Sequence, residues 1–133
     1  MTKETLLSII DEGRETSHVD FKREFYKPIK GSDLPKDIAA FANVISDDPK
    51  VIIFGVDDKS RAITGINKES FTTQDALDEY ISKTLEPFVT TEVGLVEHDN
   101  KLIGYIEIYA SNADRPYVIK IDCGKNNAIK KGG

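Results

Sequence analysis

Cysteine is nearly missing from this chain: Cys123 stands alone among 133 residues. One thiol makes neither an intrachain disulfide nor a cysteine zinc site, so a reducing cytoplasm is the expected compartment. No apolar run approaches the ~18 residues that a membrane span needs, and the N-terminus has no signal-peptide pattern, so no membrane is expected as a partner. The Gly-x-x-x-x-Gly-Lys-Ser/Thr loop that cradles nucleotide phosphates is missing, so ATPase chemistry has no support and no nucleotide cofactor is expected. Positive charge is also in deficit, with 18 Lys and Arg against 23 Asp and Glu, a net charge of −5. A surface of that sign argues against strong non-specific attraction to nucleic acid as a whole-molecule property. His18 and His98 are far apart, and Cys123 has no evident base, so nucleophilic catalysis has no assembled set of groups. Internal repeats and low-complexity segments are absent as well.

What the chain does contain is the balance of one soluble domain over residues 1–133, with 39% hydrophobic and 31% charged residues. The organising stretch is residues 38–58. Ile38, Phe41, Ala42 and Ile45 recur at helical spacing. Residues 51–54, Val-Ile-Ile-Phe, are an unbroken apolar run between Asp47-Asp48-Pro49 and Gly55, which predicts a central strand covered on both faces. Before it, residues 2–12 predict a helix capped by Thr2 and ended by Gly13, and residues 18–22 alternate as a half-buried strand with His18, Asp20 and Lys22 on its polar side. Ser32 or Asp33 can cap the central helix.

After the central strand, residues 62–66 predict a short antiparallel strand, and Thr72 or Thr73 caps a helix running to about residue 85, with Pro87 beyond it. Residues 89–97 and 101–109 predict a hairpin turning at His98-Asp99-Asn100. Residues 117–121 and 127–131 predict another, turning through Gly124 and Asn126. The fold class is therefore α+β, a mixed and mainly antiparallel sheet with two or three helices. The abrupt ending at Gly132-Gly133 suggests the N-terminal part of a longer protein.

Charge is unevenly placed. Lys22, Arg23, Lys27, Lys30 and Lys36 fall within fifteen residues, and Lys120, Lys125, Lys130 and Lys131 crowd the other end. A basic face and ordinary solvated lysines are both compatible with this spacing. Among the acids, Glu15, Asp20 and either Asp57 or Asp58 converge if the two strands are neighbours. Clustered carboxylates suit Mg²⁺ or Mn²⁺, which activate water and polarise a phosphodiester, and Lys22 would then steady the phosphate. The same acids also read as plain strand-end charges, with Lys22 as their ion-pair partner. Tyr105 and Tyr109 share a strand face, suited either to core packing or to base stacking.

Glu15-Thr16-Ser17-His18-Val19-Asp20-Phe21-Lys22 resembles the E-S-x-x-x-E-F-K opening of the Schlafen-type AlbA-like domain. Ala40-Phe41-Ala42-Asn43, Ile53-Phe54-Gly55-Val56-Asp57-Asp58 and Ile63-Thr64-Gly65-Ile66 are similar to that family's core, and Arg115-Pro116-Tyr117-Val118-Ile119-Lys120 and Ile129-Lys130-Lys131-Gly132 to its closing segments. The resemblance implies a nucleic-acid-binding domain, for DNA or RNA, of a bacterial regulatory or defence protein, with Lys22, Arg23, Lys36, Lys120 and Lys130 on phosphates. It also implies, from the animal members, metal-dependent cleavage of structured RNA by Glu15, Asp20 and Asp57 or Asp58. The older description of the family as divergent ATPases implies ATP binding, which the missing phosphate loop does not support.

Three departures stand out. Asp20 replaces Glu, an acidic turn over residues 44–50 replaces a glycine pair, and Lys130 replaces Arg. A third expectation is a non-catalytic module that forms a homodimer through an exposed strand bearing Tyr105 and Tyr109.

Overall fold

The computed structural model describes residues 1–12, 18–26 and 33–120. Glu15, Lys27, Lys30, Cys123, Lys125, Lys130, Lys131 and the second arm of the last expected hairpin lie outside the described residues.

The chain runs α1 (Lys3–Glu12), β1 (Val19–Lys22), α2 (Asp33–Ala42), β2 (Lys50–Phe54), a one-turn 3₁₀ helix (Lys68–Ser70), α3 (Gln74–Thr84), β3 (Leu85–Glu86), β4 (Thr91–His98), β5 (Lys101–Ile108) and β6 (Val118–Ile119). The main sheet has the order β1-β2-β5-β4, and β3 pairs with β6 in a small separate ribbon. Only β1 and β2 run parallel. This is the expected mixed, mainly antiparallel α+β arrangement with three helices.

Residue parity sorts the core into two layers, because successive strand side chains point to opposite faces. Ile52, Phe54, Ile106 and Ile108 pack with Ile38, Phe41, Leu77 and Ile81 of α2 and α3. Val51, Ile53, Ile103, Tyr105 and Phe21 pack with Leu6 and Ile10 of α1. β2 lies between both layers and is buried throughout, which is why its sequence is continuous and not alternating. Lys50 opens this strand fully buried and satisfies its ammonium on the Val44 carbonyl at 2.6 Å.

Local signals act as the sequence suggests at several ends. The Thr2 hydroxyl accepts from the Thr5 N–H and caps α1, and the Thr73 hydroxyl accepts from the Ala76 N–H and caps α3. Asp99 and Asn100, at φ 51° and 63°, form the two-residue turn that joins β4 to β5.

Three expectations are corrected. Ile45 does not continue the buried stripe of α2; the helix stops at Ala42 and Ile45 is 84% exposed. Residues 62–66 form no regular strand but make isolated bridges, Val56 to Ile63 and Ile66 to Leu102. Gly55 (φ 94°) and Gly65 (φ 77°) bend the backbone there, close enough that a Cβ on Gly55 would meet the Gly65 carbonyl carbon at 3.1 Å. Finally, β5 is flanked by β2 and β4, and Tyr105 is 6% exposed beneath α1, with its hydroxyl on the Met1 carbonyl at 3.3 Å. The strand bearing Tyr105 therefore has no free edge for a second copy, and Tyr105 offers no face to a base.

Candidate nucleic-acid interface

β1 is four residues long and lies in register with β2, Asp20 beside Ile52 and Lys22 beside Phe54. That register turns Asp20 and Lys22 toward the α2 layer, where α2 presents Asp37. The Lys22 ammonium sits 3.3 Å from Asp20 Oδ2 and 3.6 Å from Asp37 Oδ2, and 5.1 Å from the centre of the Tyr26 ring. The Tyr26 hydroxyl donates to Asp37 Oδ2 at 2.6 Å. Burial works against the charge on Lys22, but Asp20 and then Asp37 outweigh it and hold its pKa above the ordinary lysine value. Burial, followed by the bond to Asp37, pushes the Tyr26 phenol far above its ordinary value. Asp37 was not among the candidates read from sequence. It stands beside the apolar stripe of α2, where a carboxylate reads as a solvated surface charge, and only the α2–β1 contact reveals its partners.

The acids after β2 have a different environment. Asp57 Oδ1 accepts from the Lys59 N–H at 2.8 Å and the Ser60 N–H at 3.2 Å, closing the turn over residues 57–60. Those two N–H groups, with Arg23 a smaller contributor, hold its pKa below the ordinary aspartate value. Arg23 Nη1 lies 3.8 Å from Asp57 Oδ2. Asp58 is exposed. The structure thus joins Asp20 to Lys22 and Asp37, and Asp57 to Arg23. Among the described residues no three His, Cys, Asp or Glu side chains meet closely enough to hold a metal ion. The described residues alone do not fit a divalent centre, and no chemical step is derived through one.

β1 and β2 end together, held by Gly55 and Val56 N–H groups that both donate to the Lys22 carbonyl, at 2.7 and 3.2 Å. At that carboxyl end opens a cleft of about 970 Å³. Arg23, Phe25 and Tyr26 form one wall, the loop with Lys68 another, and the Asn100–Lys101 corner of the hairpin a third. Phe25 is seated by Phe54 and Phe71, ring centres 5.3 Å from each. Arg23 is 64% exposed at the rim. Of the other cations read from sequence, Lys36 is exposed on α2, Lys120 is half-buried with its N–H on the Thr84 carbonyl, and Lys130 lies outside the described residues.

Two of the sequence motifs have a structural explanation. The Asn43 amide brackets Tyr117, donating to its carbonyl at 3.1 Å and accepting its N–H at 2.8 Å. Arg115 donates through Nε to the Ala42 carbonyl at 3.0 Å and through Nη2 to the Val44 carbonyl at 3.1 Å. Both tie the segment leading into β6 to the C-terminal end of α2, where carbonyls lack helical donors.

Comparison with known proteins agrees with this geometry. No curated protein matches the sequence. A solved structure, the N-terminal domain of a putative ATP-dependent DNA helicase RecG-related protein from Nitrosomonas europaea, superposes with a TM-score of 0.57 at 21% identity, covering 97% of this chain and 87% of that one. The DIP2311 protein from Corynebacterium diphtheriae gives a TM-score of 0.49 at 19% identity, with 96% of this chain aligned to 26% of that one. The family model described as Schlafen, AlbA_2 matches residues 15–132. This chain belongs to the Schlafen AlbA_2 family.

Proposed function

We propose that the domain binds nucleic acid, DNA or RNA, at the cleft beyond the carboxyl ends of β1 and β2, with Arg23 as its first phosphate contact. The observation that carries this reading is the placement of Arg23: well exposed at the rim and only loosely paired with Asp57 at 3.8 Å. Ligands of sheets with parallel strands favour this end, and an exposed guanidinium suits bidentate contact with phosphate. Lys22 is more tightly engaged by two carboxylates, so it contributes to the field more than to direct contact. Lys36, Lys120 and Lys130 supply further contacts. Family membership and the likeness in fold to a domain of a helicase-related protein support a nucleic-acid role, as a regulator or a defence protein. The test is a mobility shift at low salt with single- and double-stranded DNA and RNA. Salt-sensitive binding weakened by Arg23→Ala is expected, and no shift with any of the four defeats the reading.

A second reading is a metal-dependent endoribonuclease using Glu15, Asp20 and Asp57 or Asp58 as ligands of Mg²⁺ or Mn²⁺, with Lys22 beside the scissile phosphate. Its support is local: Asp20 and Asp37 share one lysine, and Tyr26 of the same cluster also lines the cleft. A structured RNA incubated with Mn²⁺, with EDTA, and with the Asp20→Ala variant decides it. Cleavage confined to the first condition is expected; equal cleavage in all three rules it out.

A further inference from the structure

We infer that Lys68 and Lys101 extend the Arg23 contact into a track for a short single-stranded run of nucleic acid, an inference that rests on the nucleic-acid reading above. The three cations come from separate parts of the chain, yet all line one cleft. Each stands on a defined element. Arg23 directly follows β1, whose last carbonyl is pinned by Gly55 and Val56. Lys68 opens the 3₁₀ helix, whose carbonyl accepts the Phe71 N–H at 3.2 Å while the Phe71 ring packs against Phe25 and Phe54. Lys101 opens β5, and its ammonium rests on the Ile63 carbonyl at 3.1 Å. Gly65 permits that approach, since a Cβ there would meet Lys101 Cβ at 3.1 Å.

Charge and size select the ligand. Glu24 and Glu69 also line the cleft, so its net charge is +1 in a chain of −5, a local positive site on an acidic molecule. A long duplex meets such a molecule with repulsion over most of its length, whereas a short strand meets only the site. A volume of about 970 Å³ is at the upper end of small-ligand clefts and takes a few nucleotides. Phe25 and Tyr26 on one wall provide aromatic surface for bases, which single strands expose and duplexes hide.

The experiment is a salt titration by fluorescence anisotropy in EDTA. The probes are labelled oligo(U) and oligo(dT) of about ten nucleotides, within the site sizes typical of single-strand binders, and a blunt duplex of the same length. Three phosphate contacts to a single strand predict a log K against log salt slope of about −2, falling to about −0.7 in the Lys68→Gln/Lys101→Gln double variant. Lys83→Gln, altering an exposed α3 lysine outside the cleft, leaves the slope unchanged. Circular dichroism confirms that each variant is folded. Either single strand binding tighter than the duplex, with the loss of slope, supports the track. An unchanged slope in the folded double variant, or equal or tighter binding of the duplex, overturns it while leaving the broader nucleic-acid reading intact. No binding of any probe by the wild-type chain overturns both.

Discussion

Replacing Arg115 by alanine separates a structural reading of the closing family motif from a ligand-binding one. The guanidinium is half-buried and spans the Ala42 and Val44 carbonyls at the end of α2. The two carbonyls do not suffer equally. Val44 keeps the Lys50 ammonium at 2.6 Å, while Ala42 loses the only side-chain donor described for it. A hydrogen bond from a charged donor is worth about 1.5–3 kcal/mol, and a cation at a helix C-terminus adds about 0.3–1 kcal/mol. One term opposes these: after burial, Arg115 is the next cause that holds the Lys50 pKa below its ordinary value, so its removal relieves a repulsion. The net expectation is a loss of about 2 kcal/mol, or roughly 8 °C in Tm for a domain of this size.

Arg115→Lys keeps the charge but not the two-pronged geometry, and should recover about half of that loss. Urea unfolding followed by far-UV circular dichroism measures both, with unchanged m as the condition for comparing midpoints. A change below about 0.5 kcal/mol, the ordinary scale of a surface substitution, refutes the capping argument. It does so most sharply if the folded variant has also lost oligonucleotide affinity, since Arg115 would then be a phosphate contact.

Other consequences follow from the same contacts. Asn43→Ala removes both bonds to the Tyr117 backbone and should cost about 1–3 kcal/mol in the same urea assay, whereas exposed Lys36→Ala should cost almost nothing. Gly94→Ala places a Cβ 2.4 Å from the Tyr105 ring, an overpacking worth about 1–3 kcal/mol that Tyr105→Leu in the same chain should partly relieve. The raised pKa of Lys22 makes its contribution complete below about pH 10.5 and lost as pH climbs through the higher folded value; Tyr26, raised as well, loses its contribution in the same direction. Lys22→Met/Tyr26→Phe should therefore flatten the alkaline limb of the stability profile, and an unchanged limb contradicts the cluster. Asp57, with its pKa lowered, contributes fully above about pH 4 and loses the contribution as pH falls, so Asp57→Asn should flatten the acid limb while Asp58→Asn leaves it in place.

Much of the scaffold was legible because it follows from local patterns. The apolar run over residues 51–54 announced a doubly covered strand, and Asp99-Asn100 sits where the left-handed turn of the hairpin needs residues tolerant of positive φ. The alternation around Phe21 put Asp20 and Lys22 on one face, as found. What escaped was set by contacts distant in sequence. Ile45 fitted the helical stripe, but Arg115, 73 residues from Ala42, occupies the helix end. Tyr105 and Tyr109 shared a face, yet no periodicity says that α1 lies over it. The run of cations from Lys22 to Lys36 drew attention by proximity along the chain, while Lys68 and Lys101 joined Arg23 only through folding. Asp20 and Asp57 were expected to meet; β1 and β2 are indeed neighbours, but Asp20 turns toward α2 and Asp57 turns back to cap its own loop. The third expected acid, Glu15, lies outside the described residues.

The account depends most on Arg23. The direct measurement is the salt dependence of oligonucleotide binding by the wild-type chain and by folded Arg23→Ala, under identical buffers. Binding by the wild type, weakened in the variant with a slope shallower by about 0.7–0.9, is the predicted result for one lost phosphate contact. Affinity and slope that are the same in both proteins would contradict it.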